Sequence, residues 1–235
     1  MTEETIKAQL EALSDAEKRE HLARYFKTGK GEYGEGDLFI GVVVPDIRKI
    51  AKANKSASVK EVEKLLNNPY HECRMCALMI LIEQFKRAKA DKDKKAIVDF
   101  YLSYTKRINN WDLVDLSARD IVGEYLADKQ DRSVLYKLAE SSLLWDQRIA
   151  ILSTFVFIKR NDFTDIINLS EKLLSHKHDL MHKAIGWMLR EAGKKDKSVL
   201  ITFLDKHHGS MPRTMLRYSI EKLSTDEKGY YMKKN

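Results

Sequence analysis

Residues 143–160 read LLWDQRIAILSTFVFIKR. The stretch is apolar nearly all round rather than along one stripe, as expected of a helix buried at the centre of a helical protein. It contains neither glycine nor proline. Outward from it, apolar residues recur at three and four positions almost everywhere, which is the helical period. The nearest approach to a strand is Phe39 to Val44, and it stands alone.

Breakers are sparse. The prolines are Pro45, Pro69 and Pro212, and the glycines crowd into Gly29, Gly31, Gly34, Gly36 and Gly41. Ser14 with Glu17 and Ser58 with Glu61 read as capping boxes. Asn68 before Pro69 reads as an N-cap followed by a first helical residue, and Asn110 precedes Trp111 as a cap does. These signals predict helices over 2–13, 15–27, 45–54, 58–67, 69–88, 91–107, 111–127, 131–140, 143–160, 163–175, 179–193, 196–207 and 213–223. Many helices on short links imply stacked helix pairs. Trp111, Trp145 and Trp187 recur at about 34 and 42 residues, near the period of HEAT-type repeats. The expected fold is therefore all-α, a curved α-α superhelix (solenoid) of HEAT-like repeats forming one domain over 1–235. The segment TGKGEYGEGD (28–37) is a loop inside it or a lip near a ligand; with no strand before it, it is not a dinucleotide-binding turn.

Among the 235 residues, 42 Lys and Arg stand against 35 Asp and Glu, a net charge of +7. The sequence pI of about 9.1 points toward a polyanion. Two cysteines exclude a disulfide scaffold and fit a reducing cytoplasm. No stretch is apolar enough to span a membrane, and MTEETIKAQL lacks the features of a signal peptide.

The informative residues break their own helix patterns. Asp115 projects onto the apolar face of Trp111, Val114, Ala118, Ile121, Val122 and Tyr125. It either faces a cleft or pairs with Arg119 one turn on. Arg148 lies in the apolar stripe of Leu152 and Phe155 and needs a carboxylate or a phosphate. Trp187 stands off the Met181, Ile185, Met188 and Ala192 face, beside Lys183 and Arg190. That suits either a nucleic-acid surface or a second packing face. Arg213 and Arg217, one turn apart at a helix start, are either phosphate ligands or solvated.

Other signals are weak. Cys73 and Cys76, with His71 nearby, have no second ligand pair for zinc. His178 and His182 form HDLMH, which carries Asp where the zinc-protease pattern needs Glu. No nucleophile elbow appears. No metal and no cofactor is expected.

Five segments, GDLFIGVVVPDIRKIAK, NNWDLVDLSA, WDQRIAIL, HKAIGWMLRE and MPRTMLRYSIEKL, together resemble the DNA alkylation repair proteins of the AlkD family, in order over about residues 20–223. The resemblance implies stacked HEAT-like repeats with DNA on a basic concave face. It implies a DNA glycosylase that excises cationic N3- and N7-alkylated purines while the lesion stays in the duplex. By the same resemblance Trp111, Asp115 and Trp187 are the catalytic residues and Arg148 binds the DNA backbone. Lys183, Arg190, Arg213 and Arg217 complete the expected DNA contacts. Where family members can carry a site tyrosine this chain has Ile40, and Tyr33 is the substitute at hand. A cytoplasmic monomer is expected, with duplex DNA bearing alkylated purines as its partner and no membrane. The alternative is a non-catalytic helical-repeat module that binds DNA or a protein.

Overall fold

The computed structural model describes residues 2–233, and the described residues form helices and loops with no strand. One isolated parallel bridge, Leu38 with Tyr70, is the nearest thing to a sheet. The fold is all-helical, as the periodicity predicts. Contacts divide the chain into two compact units, residues 1–117 and 118–235.

The first unit runs α1 (Glu3–Glu11), α2 (Ala16–Tyr25), α3 (Val44–Ala53), α4 (Val59–Asn67), α5 (His71–Arg87), α6 (Asp91–Ser103), a 3-10 turn (Thr105–Arg107) and α7 (Trp111–Ala118). Its centre is α5, which packs against α1, α3, α4 and α6. That helix is buried from His71 through Ile82 without a break. Between α2 and α3 the glycine-rich loop leads into an extended segment, Phe39–Val43, that passes under the start of α2. Gly41 makes this possible: its φ is +97°, and a Cβ there would lie 2.1 Å from the Asp15 carbonyl oxygen.

The second unit continues with a π-helical turn (Arg119–Gly123), α8 (Glu124–Leu126), α9 (Ser133–Glu140), α10 (Leu144–Ser153), α11 (Phe155–Lys159), α12 (Thr164–Lys172), α13 (Asp179–Lys195), α14 (Lys197–His207), α15 (Arg213–Ser219) and α16 (Thr225–Met232). Two helices organise it. α10 packs on α9, α12 and the π turn, and α13 packs on α10, α12, α14 and α15. Every residue from Arg148 to Ser153 is buried, so the stretch that opened the sequence reading is central.

Several boundaries differ from expectation for local reasons. The helix predicted over 143–160 breaks at Thr154. Ser153 Oγ donates to the Ile149 carbonyl at 2.7 Å and Thr154 Oγ1 to that of Ile151 at 2.6 Å, and such back-bonding bends a helix. Asp15, not Ser14, caps α2, accepting from Lys18 N at 3.0 Å. Ser58 caps α4 as expected, but the Glu61 carboxylate turns away to Lys64 and to the Glu3 amide. Asn68 starts no helix but ends α4 as its C-cap; its side chain accepts from Tyr70 N at 3.0 Å, and α5 starts two residues after Pro69, because Tyr70 is held extended beside Leu38. A complete capping box, Ser224 with Glu227, starts α16, which the periodicity did not predict.

α15 approaches α13 closely at Gly186. A Cβ there would meet Tyr218 Cβ at 2.5 Å and the Met215 carbonyl oxygen at 2.6 Å, so α15 lies on α13 only because the side chain is missing. Gly186→Ala is expected to lower the free energy of unfolding by about 1–3 kcal/mol, read as a lower urea midpoint with unchanged slope.

Candidate functional site

The start of α7 sets Trp111. Asn110, wholly buried, accepts from the Trp111 amide at 2.8 Å, and Asp112 accepts from the Leu113 amide at 2.8 Å. Buried Leu113 and Val114 hold the helix down and leave Trp111 half-buried. Around its indole stand three rings: Tyr25 at 6.1 Å and edge-on, Phe26 at 5.4 Å, and Tyr33, whose hydroxyl accepts from the indole N–H at 3.3 Å. Tyr25 is 57% exposed, so the cluster opens to solvent on that side.

Asp115 lies one turn beyond Trp111 on α7 and is half-buried, on the helix whose Val114 and Ala118 are fully buried. Arg119, the partner considered for it, approaches the Asp120 carboxylate at 3.8 Å and lies over the Phe155 ring at 5.7 Å.

Beneath the indole is a group of buried charges. Both ring nitrogens of His71 face carboxylates, Nδ1 that of Asp37 at 3.2 Å and Nε2 that of Asp112 at 2.8 Å. Arg74 donates to Asp37 at 2.7 Å, and Asn109 donates to the same oxygen at 2.8 Å. Phe26 and Phe39 stack on the imidazole at 5.1 and 4.8 Å. Burial by itself would lower the His71 pKa. The negative charge of Asp112 and hydrogen bonds to Asp112 and Asp37 outweigh it and raise the value to about 9. The Asp37 carboxyl is held below its ordinary value against its own burial, by His71 and Arg74. The neighbouring carboxylate, Glu72, accepts from the backbone amides of Ile40, Gly41 and Val42 at 2.9, 2.8 and 3.2 Å.

In the second unit Trp187 is half-buried on α13. Its cationic neighbours are matched by acids: Lys183 with Asp179 at 2.8 Å, and Arg190 with Glu221. Arg148, 4% exposed on α10, donates to the Leu180 carbonyl at 2.5 Å. Arg213 donates to the Met232 carbonyl at 2.9 Å, and Arg217 is exposed. His178 Nδ1 accepts from the Leu180 amide and caps α13, and His182 binds the His176 carbonyl, so the HDLMH pair serves the helix start. Cys73 and Cys76 are buried free thiols whose pKa burial pushes up to about 12, which makes them inert.

Trp111 and Asp115 stand out in the sequence by their helix positions and Tyr33 by the resemblance, whereas Tyr25, Asp37, Asp112 and the charged start of α5 do not. A signal was present: His71, Glu72 and Arg74 head the apolar run Met75–Ile82. Ile40 is 4% exposed, so in this chain the position before Gly41 belongs to the core.

An all-helical, basic protein that displays an open aromatic cluster and a half-buried carboxylate from one helix start is the class these features define. The chain belongs to the DNA alkylation repair enzyme family, whose model matches residues 6–223. No curated protein matches it. Among solved structures it is similar to a predicted DNA alkylation repair enzyme from Enterococcus faecalis, at 14% identity and a TM-score of 0.71, over 90% of this chain and 97% of that one. That likeness shows the fold. Among the described residues no helix is long and apolar enough to cross a membrane.

Glu72 holds the extended segment that follows the glycine-rich loop. Glu72→Gln replaces one acceptor with a donor aimed at a backbone donor, and is expected to cost about 1–3 kcal/mol, measured by thermal and urea unfolding.

Proposed function

We propose that the protein is a DNA glycosylase that releases N3- or N7-alkylated purines from duplex DNA. The observation that carries this reading is a half-buried carboxylate, Asp115, one helical turn from the half-buried Trp111 of a solvent-open aromatic cluster. A passive DNA binder gains nothing from a carboxylate placed near phosphates, whereas a breaking nucleoside does.

Alkylation at N3 or N7 makes the purine cationic, so it departs as a neutral base with the electron pair of the glycosidic bond and needs no strong general acid. The cost lies in the oxocarbenium-like deoxyribose left behind. A fixed carboxylate beside it lowers that cost electrostatically. Asp115 fills this role and orients the water whose oxygen bonds to the anomeric carbon, its proton passing to the carboxylate and on to solvent. Trp111 packs against the sugar, and its π face favours the growing positive charge by about 0.5–2 kcal/mol. Following the family resemblance, Trp187 supplies a second such face. Arg148, Lys183, Arg190, Arg213 and Arg217 bind backbone phosphates, and phosphate contacts of this kind make affinity fall steeply with salt. Residues 1–235 then act as one functional domain on DNA, as a monomer, with the lesion left in the duplex.

Asp115→Asn is expected to lose about 100-fold or more of the release rate from duplex DNA containing 7-methylguanine or 3-methyladenine, while the same DNA is still retarded in a gel. Release by the variant at the wild-type rate removes Asp115 from the mechanism. Retarded DNA with no free purine from the wild-type protein replaces this reading with the non-catalytic binding module.

A further inference from the structure

The buried charges under Trp111 have a role beyond stability. We propose that His71, as a doubly protonated imidazolium, is a positioning residue that locks the Trp111 end of α7 to the glycine-rich loop through Asp112 and Asp37. Where it speaks of turnover, this rests on the glycosylase reading above.

The hydrogen bonding requires two ring protons. A neutral imidazole carries one N–H and one lone pair, and here each nitrogen faces a carboxylate oxygen, at 3.2 and 2.8 Å. With one proton missing, a lone pair would point at a carboxylate in a site where His71 is 2% exposed. Charge balance agrees. The groups that face His71 are Asp37 from the loop, Asp112 from α7 and Arg74 from its own helix, and Glu72 is committed to three backbone amides. Two carboxylates against Arg74 alone would leave a net negative charge buried, and the imidazolium cancels it. Phe26 and Phe39 also stack against the imidazole at 5.1 and 4.8 Å, contacts that a cationic ring favours.

The three elements tied together are the walls of the aromatic cluster. Asp37 ends the loop that carries Tyr33, the hydrogen-bond partner of the indole. Asp112 is bonded in sequence to Trp111 and caps the first turn of its helix. Phe26 touches both the indole and the imidazole. Removing one proton from His71 takes a hydrogen bond from Asp37, which Arg74 and Asn109 still hold, or from Asp112, and so loosens the tie between the loop and the start of α7.

The sign of the pH effect follows. His71 holds its proton in the folded protein up to a pH of about 9, against 6.5 for the free side chain. Its contribution to stability is complete below about 6.5 and is lost as pH rises through about 9.

Two measurements test the inference. In protein labelled with 15N-histidine, both His71 nitrogens are expected to carry protons at pH 7.5. With 5-fluorotryptophan, the 19F resonance of Trp111, assigned by its loss in Trp111→Phe, is expected to shift with a midpoint near pH 9 and to lose that titration in His71→Gln. Asp112→Asn is expected to bring the midpoint down, a second variant that leaves the imidazole in place. On methylated duplex DNA, His71→Gln is expected to lower kcat on the order of 10- to 100-fold with KM unchanged, and to abolish the alkaline fall in rate. A single ring proton on His71 at pH 7.5, or a Trp111 resonance that does not respond between pH 7 and 10, overturns the proposal. If the wild-type protein releases no purine but the Trp111 resonance still follows His71, the glycosylase reading fails and the positioning role stands.

Discussion

A helix buried on every side cannot leave ionisable side chains unpartnered, and α5 carries three of them in its first turn. That constraint organises the first unit. Desolvating a charge costs several kcal/mol unless hydrogen bonds and opposite charge replace the lost water. Glu72 takes its replacement from three consecutive backbone amides, His71 from two carboxylates, and Arg74 from Asp37 and the carbonyls of Asn68 and Pro69. Apart from the Asn68 and Pro69 carbonyls, the partners come from segments distant in sequence, so satisfying the charges also places the glycine-rich loop, the segment after it and the start of α7.

The glycine-rich loop is shaped by the same demand. Gly41 brings the backbone beneath α2, and this lets the amides of Ile40, Gly41 and Val42 converge on one carboxylate. Asp37 anchors the end of the loop, and Tyr33, earlier in it, reaches the indole of Trp111. The aromatic cluster thus rests on polar bonds rather than on apolar contact alone, which suits rings that must stay ordered while one side is open to water.

The second unit is held differently. Its two central helices, α10 and α13, pack through apolar side chains and through close backbone approaches, of the π turn to α10 at Gly123 and of α15 to α13 at Gly186. Charge appears at its margins: Arg148 spans from α10 to a carbonyl at the start of α13, Lys183 and Arg190 are matched by acids, and Arg132 is held by Asp162 and Asp165. Exposed pairs such as Lys183 with Asp179 contribute little to stability.

The helical class, the buried character of 143–160, the apolar face of α13, and the anomaly of Asp115 beside Trp111 were readable from the chain alone. They depend on periodicity, and the period of apolar residues belongs to one helix at a time. The capping box at Ser224, the break at Thr154 and the shifted start of α5 were not readable, because each is decided by a local bond that competes with the period. Tyr25, Asp37, His71 and Asp112 became one group only in the folded chain. They are brought together by contacts between segments far apart in sequence, such as His71 with Asp112 and Tyr25 with Trp111, and no pattern along a single helix records which distant acid a buried base will find.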